Sequence, residues 1–229
     1  MALVGAVAVV SGLAFLSRPP GFDYFPLESG RSWIYGTRVT VQGADPQTFK
    51  TVALNLAQET VEGARATPRL YHDGRVLYYR QDGDGIRTVA FHEPGQPSQP
   101  AANGQYVLKR PLAPGTKWRA PGHTFLLTQR LLYNKVVEIA IPLEIDYAIE
   151  SANEAVEVRA GRFRHCIKVT GSAKSSVYAL DSVRRLAVSV ETEDWFAPGV
   201  GLVKSVRSEA AGTERTGNAR MVMELERFE

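Results

Sequence analysis

The sequence has 229 residues, 44% of them hydrophobic and 22% charged, which is ordinary globular composition with room for one substantial core. Lys plus Arg number 27 against 24 Asp plus Glu, and the arginines are dispersed (Arg65, Arg69, Arg75, Arg80, Arg87), which argues against a nucleic-acid-binding surface. The single cysteine, Cys166, excludes an internal disulfide, so packing alone must hold the fold.

The chain opens on an uncharged run from Ala2 to Leu16, with Leu3, Val4, Val7, Val9, Val10, Leu13, Phe15 and Leu16 as its apolar side chains, and Arg18-Pro19-Pro20 stops any helix there. About 15 residues at about 1.5 Å each fall short of a hydrocarbon core of about 30 Å, so residues 1–20 read as a short membrane anchor or a signal-peptide core. No Lys or Arg precedes the run, Gly12-Leu13-Ala14 is a weak cleavage site, and Cys166 lies too far downstream for lipoprotein acylation. A retained single-pass anchor in the bilayer is therefore expected, followed by one domain over residues 21–229. Arg18, Arg31 and Arg38 after the run favour a cytoplasmic C-terminal side by the positive-inside tendency, against the periplasmic side that the resemblance given below implies.

Beyond the anchor, period-two alternation dominates. It runs through Trp33, Tyr35, Thr37, Val39 and Val41, then Val52, Leu54 and Leu56, then Val137, Ile139, Ile141, Leu143, Ile145, Tyr147 and Ile149, then Phe163, His165, Ile167 and Val169, and then Leu186, Val188 and Val190. Turn residues separate the runs at Gly43-Ala44-Asp45-Pro46, His72-Asp73-Gly74, Asp82-Gly83-Asp84-Gly85, Ala160-Gly161 and Ala211-Gly212, which predicts hairpins. Glu93 to Gly104, with Pro94, Gly95, Pro97 and Pro100, reads as a mobile surface loop. Phe125 to Tyr133 fits helix or strand and is read as strand. Pro142 falls on the polar side of its run, which points to an edge position or a bulge. The whole predicts an all-β fold, a curved antiparallel sheet of half-barrel or sandwich-like form whose one apolar face must be covered.

Pro26, Leu27, Gly30 and Trp33 recur at the same spacing as Pro111, Leu112, Gly115 and Trp118. The Pro-Leu enters a turn, the glycine supplies a backbone angle other residues resist, and the tryptophan opens a strand whose indole locks the corner. The alternative is a pair of tryptophans flanking a ligand mouth. These segments, with Tyr24-Phe25, Ala160-Gly161-Arg162-Phe163 through Val169, and the run from Trp195 to Lys204 containing Pro198, Gly199 and Gly201, resemble exported bacterial proteins labelled TapB-like. The resemblance spans most of the chain after the anchor. It implies a secreted or membrane-attached protein with a curved antiparallel sheet like that of bacterial lipoprotein carriers, without an assigned activity. Unlike a lipoprotein, this sequence has no acylation cysteine near its start.

Sites of chemistry are scarce. Asp82-Gly83-Asp84-Gly85 lacks the further oxygen ligands of a calcium loop and reads as an Asp-Gly turn. His72, His92, His123 and His165 stand apart in sequence, with His165 expected on the buried face beside Phe163 and Ile167 and Cys166 on the opposite one. No catalytic, metal or cofactor set is expected; an enzyme would be sought first around His165 and Cys166. Two functions remain: an accessory subunit docking its β domain on a larger membrane complex, respiratory or photosynthetic, or a binding and carrier module for a lipid or other apolar ligand.

Overall fold

β-branched and aromatic residues placed at every second position favour extended chain, and the glycine- and aspartate-bearing turns between them bring successive segments back antiparallel. A computed structural model describes residues 24–101, 105–127, 129–132, 135–138, 140–178, 185–211 and 217–229. Among these the secondary structure is strand throughout: β1 (Ser32–Val41), β2 (Gln47–Asn55), β3 (Glu59–Val61), β4 (Ala64–Tyr71), β5 (Val76–Gln81), β6 (Gly85–His92), β7 (Gln99–Pro100), β8 (Tyr106–Lys109), β9 (Lys117–His123), β10 (Gln129–Leu132), β11 (Lys135–Glu138), β12 (Pro142–Val158), β13 (Gly161–Tyr178), β14 (Arg185–Ala197), β15 (Gly201–Ala211) and β16 (Asn218–Phe228). The expected anchor, with Leu3, Val4, Val7, Val9, Val10, Leu13, Phe15 and Leu16, lies outside the described residues. No helix among the described residues is long and apolar enough to cross a membrane.

Fourteen strands form one open antiparallel sheet in the order β7-β6-β5-β4-β2-β1-β16-β15-β14-β13-β12-β9, with β3 beside β4 and β8 beside β6, while β10 and β11 pair only with each other. The last strand returns to pair with the first, and Ser32 and Glu229 exchange two main-chain hydrogen bonds of 3.0 Å. The sheet curls so that its two arms share a core. Tyr79, Ile86 and Leu108 from one arm meet Trp118, Ile149, Val169 and Phe196 from the other. A second cluster gathers Trp33, Tyr35, Cys166, Val203 and Leu225, and a third Leu127, Ile145, Val190 and Ala219.

The expected hairpins form at Gly43 to Pro46, His72 to Gly74, Asp82 to Gly85 and Ala160-Gly161; the turn after Ala211 lies outside the described residues. Ile141, Leu143, Ile145 and Ile149 are buried while Pro142, Glu144, Asp146 and Glu150 are exposed, so the alternation sorts as read. Pro142 is the first residue of β12 and pairs with His123 of β9, a place where its missing N–H costs no ladder bond.

Three expectations need correction. The run from Val137 to Ile149 is two strands, β11 and β12, because Thr124 closes a loop there: its N–H bonds the carbonyl of Ile141 and its hydroxyl accepts from the amide of Ile141, each at 3.0 Å. Phe125 to Leu127 is not strand, since its amides are turned to a buried carboxylate; only Gln129–Leu132 is. His165 is exposed and not in the core: it sits at φ 57° where β13 carries an extra residue against β12, and this slip buries the adjacent Cys166 and Ile167 in different clusters. The Glu93 to Gly104 stretch also contains the short strand β7, paired to Phe91 and Ala90.

Candidate functional site

The repeated corners are built alike. Gly30 at φ +84° donates its N–H to the carbonyl of Asn55 at 2.8 Å, and Gly115 at φ +91° donates to that of Ile149 at 2.9 Å. Three residues on, the Trp33 indole N–H reaches the carbonyl of Val200 at 2.7 Å, and that of Trp118 reaches Tyr106 at 2.9 Å, tying β9 to β8. Leu27 and Leu112 both pack on the shared core. Trp118 stacks on Tyr147 with ring centroids 5.5 Å apart, so both indoles are enclosed by protein.

The turn after β14 packs on the first corner. Pro198 and Gly199 are exposed, the Gly199 carbonyl accepts from Arg31 at 3.1 Å, and Gly201 at φ +97° lies where a side chain would meet the Pro26 ring. Trp195 is on the outer face, its indole N–H on the Glu154 carboxylate at 2.7 Å, with the ammonium groups of Lys168 and Lys204 over its ring.

Behind Trp33 lies a buried cation. The Arg69 guanidinium is 4.3 Å from the ring centres of Phe25 and Trp33 and 5.2 Å from that of Tyr79. Its Nε donates to the Asn55 side chain at 2.7 Å and its Nη2 to the carbonyl of Pro26 at 2.9 Å, while the Asn55 amide donates to the carbonyls of Pro26 and Glu28. Ring faces and carbonyl dipoles, not a carboxylate, hold this charge among the described residues.

A second ionic group occupies the inner face of β14 and β15. One register row runs Tyr147, Gly171, Thr192, Arg207, Met221, Val39 across six strands, and Asp194 with Ser205 and Val190 with Glu209 stand on either side. Glu209, 1% exposed, accepts from the backbone N–H groups of Phe125, Leu126 and Leu127 at 3.0, 3.0 and 3.1 Å and from Arg207 Nε at 2.8 Å. Arg207 also donates to the carbonyl of His123 at 2.6 Å and lies 4.2 Å from the Phe125 ring centre. The pair thus straps residues 123–127 across the sheet. Burial raises the Asp194 carboxyl to about 6, against the opposing hydrogen bond from Ser205 and the charge of Arg207, and it raises the Tyr147 hydroxyl to about 12. The Thr192 hydroxyl, packed over Gly171, has no hydrogen-bond partner among the described residues.

The outer face carries a groove of about 570 Å³ across β1, β14, β15 and β16, lined by Thr40, Gln42, Ser189, Ser208, Asn218 and Arg220 among others. Most of its lining residues carry a hydroxyl, amide or charged group.

The structure does not bring the histidines together. His72 packs on Phe49, His123 on Phe125, and His165 Nδ1 meets the Asn153 side chain at 2.7 Å. Among the described residues no group of three or more His, Cys, Asp and Glu could hold a metal ion. The Asp82 carboxylate is engaged by the amides of Asp84 and Gly85 and by Arg87. Cys166 is fully buried, and burial raises its thiol to about 11.

Sequence reading missed Arg69, Asp194, Arg207 and Glu209. The available signal was parity: Arg207 and Glu209 continue the alternation of Val203 and Ser205 into the buried side of β15, where a charge requires a partner.

The fold defines the class: an all-β protein built on one open, curled antiparallel sheet. No protein-family model matches the chain, and no curated protein does. Among solved structures it is similar to a "putative lipoprotein" from Parabacteroides distasonis, 14% identical with a TM-score of 0.38, the match covering 90% of this chain and 98% of that one. It is also similar to a "putative exported protein with YmcC-like fold" from Bacteroides fragilis, 13% identical with a TM-score of 0.42, again over 90% and 98% of the two chains.

Proposed function

We propose that this chain is a non-catalytic bacterial envelope protein, held to the inner membrane by residues 1–20, whose β body lies in the periplasm and docks as an accessory subunit on a larger membrane assembly. One observation carries the reading: the buried charges of Arg69, Arg207 and Glu209 are taken up by loop segments of the chain itself. Arg69 terminates on the Pro26 carbonyl and Asn55, and Arg207 with Glu209 on the strap from His123 to Leu127, so these charges secure loops to the sheet. The uncharged run from Ala2 to Leu16 supports the anchor, and the likeness of the Trp33, Trp118 and Trp195 segments to TapB-like exported proteins supports the envelope location.

The test is recovery of the full-length tagged chain from membranes in mild detergent. The reading expects elution well above monomer size with other subunits co-purifying. Recovery solely as a free monomer overturns it. A stoichiometric apolar molecule in native mass spectrometry of that monomer would instead establish the carrier function.

A further inference from the structure

We propose that two copies of this chain pair through the outer edge of β2, residues 47–51, in an antiparallel arrangement centred on Phe49 facing Phe49. β2 is bonded to β1 from Gln47 to Leu54, but β4 covers its other side only at Ala53 to Asn55. The amide of His72 donates to the carbonyl of Val52 at 3.0 Å, so that carbonyl points away from β1. With a two-residue period, the N–H and C=O groups of Thr48 and Lys50 point the same way, and no strand among the described residues meets them.

The edge lacks the usual defences. Phe49 is 41% exposed on the inner face, the strand holds no proline, and its one charge, Lys50, is already bonded on the outer face to Glu226, which also pairs with Arg159. Pairing the edge with itself about a two-fold axis normal to the sheet requires residues of equal parity to face each other. Of the possible centres, Lys50 opposite Lys50 sets like charges together. Phe49 opposite Phe49 sets Lys50 against Thr48 and Gln47 against Thr51, with no like charges opposed. It also puts Thr48 and Lys50 in hydrogen-bonded pairs, giving about four new main-chain bonds, and the two rings in the closer non-hydrogen-bonded pair. The occupant this edge matches is therefore its own copy. Beyond Thr51 the β4 to β5 turn at His72 ends the pairing, so the contact is short and the association weak. The proposal stands independently of the accessory-subunit reading.

The experiment uses the full-length chain in detergent, with Phe49→Cys and Val52→Cys variants oxidised side by side. Cys166 is buried and serves as a fold check by staying unreactive. Phe49→Cys is expected to form covalent dimer at least tenfold faster than Val52→Cys, whose position is capped by His72; equal rates overturn the proposal, as does crosslinking of Phe49→Cys to a different protein in native membranes. Thr48→Pro removes an outward N–H without touching the ladder to β1, and it should lower the dimer fraction in sedimentation at least fivefold. An unchanged fraction also overturns it.

Discussion

The indole of Trp33 donates to the carbonyl of Val200 across 167 positions of sequence, joining the first strand to the turn between β14 and β15. The bond depends on Gly30, whose φ of +84° turns the chain into β1 at the right angle. No described residue lies within 4 Å of a side chain added at Gly30 or Gly115, so substitution there tests backbone strain. Gly30→Ala and Gly115→Ala are each expected to lower unfolding free energy by about 1 to 2 kcal/mol in urea titration, with Asn in place of Ala recovering part of the loss. Alanine variants as stable as the parent would show that the corners do not need the left-handed conformation.

Glu209 is the acceptor for three consecutive amides of a strap 82 to 84 residues distant, and it is also the partner of Arg207. Replacing it with Gln removes the charge that balances Arg207 and turns an amide donor toward amide donors. Glu209→Gln should cost about 3 kcal/mol, and hydrogen exchange at Phe125 to Leu127 should quicken more than exchange in β13. A loss under about 1 kcal/mol, or uniform exchange, would remove the clamp from the account.

The sheet was legible in the sequence because its signal is local: alternation fixes which residues face inward, and Asp-Gly and Ala-Gly pairs fix where the chain reverses. His165 is illegible because the bulge at β13 leaves no mark in composition: it turns His165 out and Cys166 in, while Ile167, Val169 and Ala173 keep the buried parity that the alternation gives them. The break between β11 and β12 within the run from Val137 to Ile149 is hidden because it is set from a distance. The loop closure by Thr124 depends on Ile141, 17 positions away, and no local pattern announces it. For Arg207 and Glu209 the inward parity was visible, but their partners are main-chain atoms brought by tertiary folding.

Cys166 should behave as a packed thiol. It is fully buried, and with its thiol raised to about 11 by burial the thiolate population at pH 8 is about one in a thousand. Alkylation by iodoacetamide in native buffer should proceed no faster than global unfolding and become rapid in denaturant. Rapid modification of the native protein would expose the site and revive a chemical role for this residue.

Asp194 gives the fold a specific acid response. Its carboxyl is raised to about 6 in the folded chain, chiefly by burial, from an ordinary 3.8, so the folded state binds the proton more tightly than the unfolded chain does. Stability contributed by this group is therefore fully present below about pH 4 and is lost as pH rises to about 6, leaving a constant penalty above that. Tyr147, Glu193, Ser205 and Arg207 are the groups that interact with it, and of these the Ser205 hydrogen bond and the Arg207 charge favour the ionised form while Glu193 opposes it. Because Asp194 keeps partial solvent contact, the penalty at pH 7 is set at about 1 to 3 kcal/mol. Asp194→Asn should stabilise the protein by that amount at pH 7, have little effect at pH 4, and flatten the stability profile between the two. Denaturation at closely spaced pH values reads the difference directly, and a variant whose profile keeps the parent's slope from pH 4 to 6 would assign that response to another carboxylate.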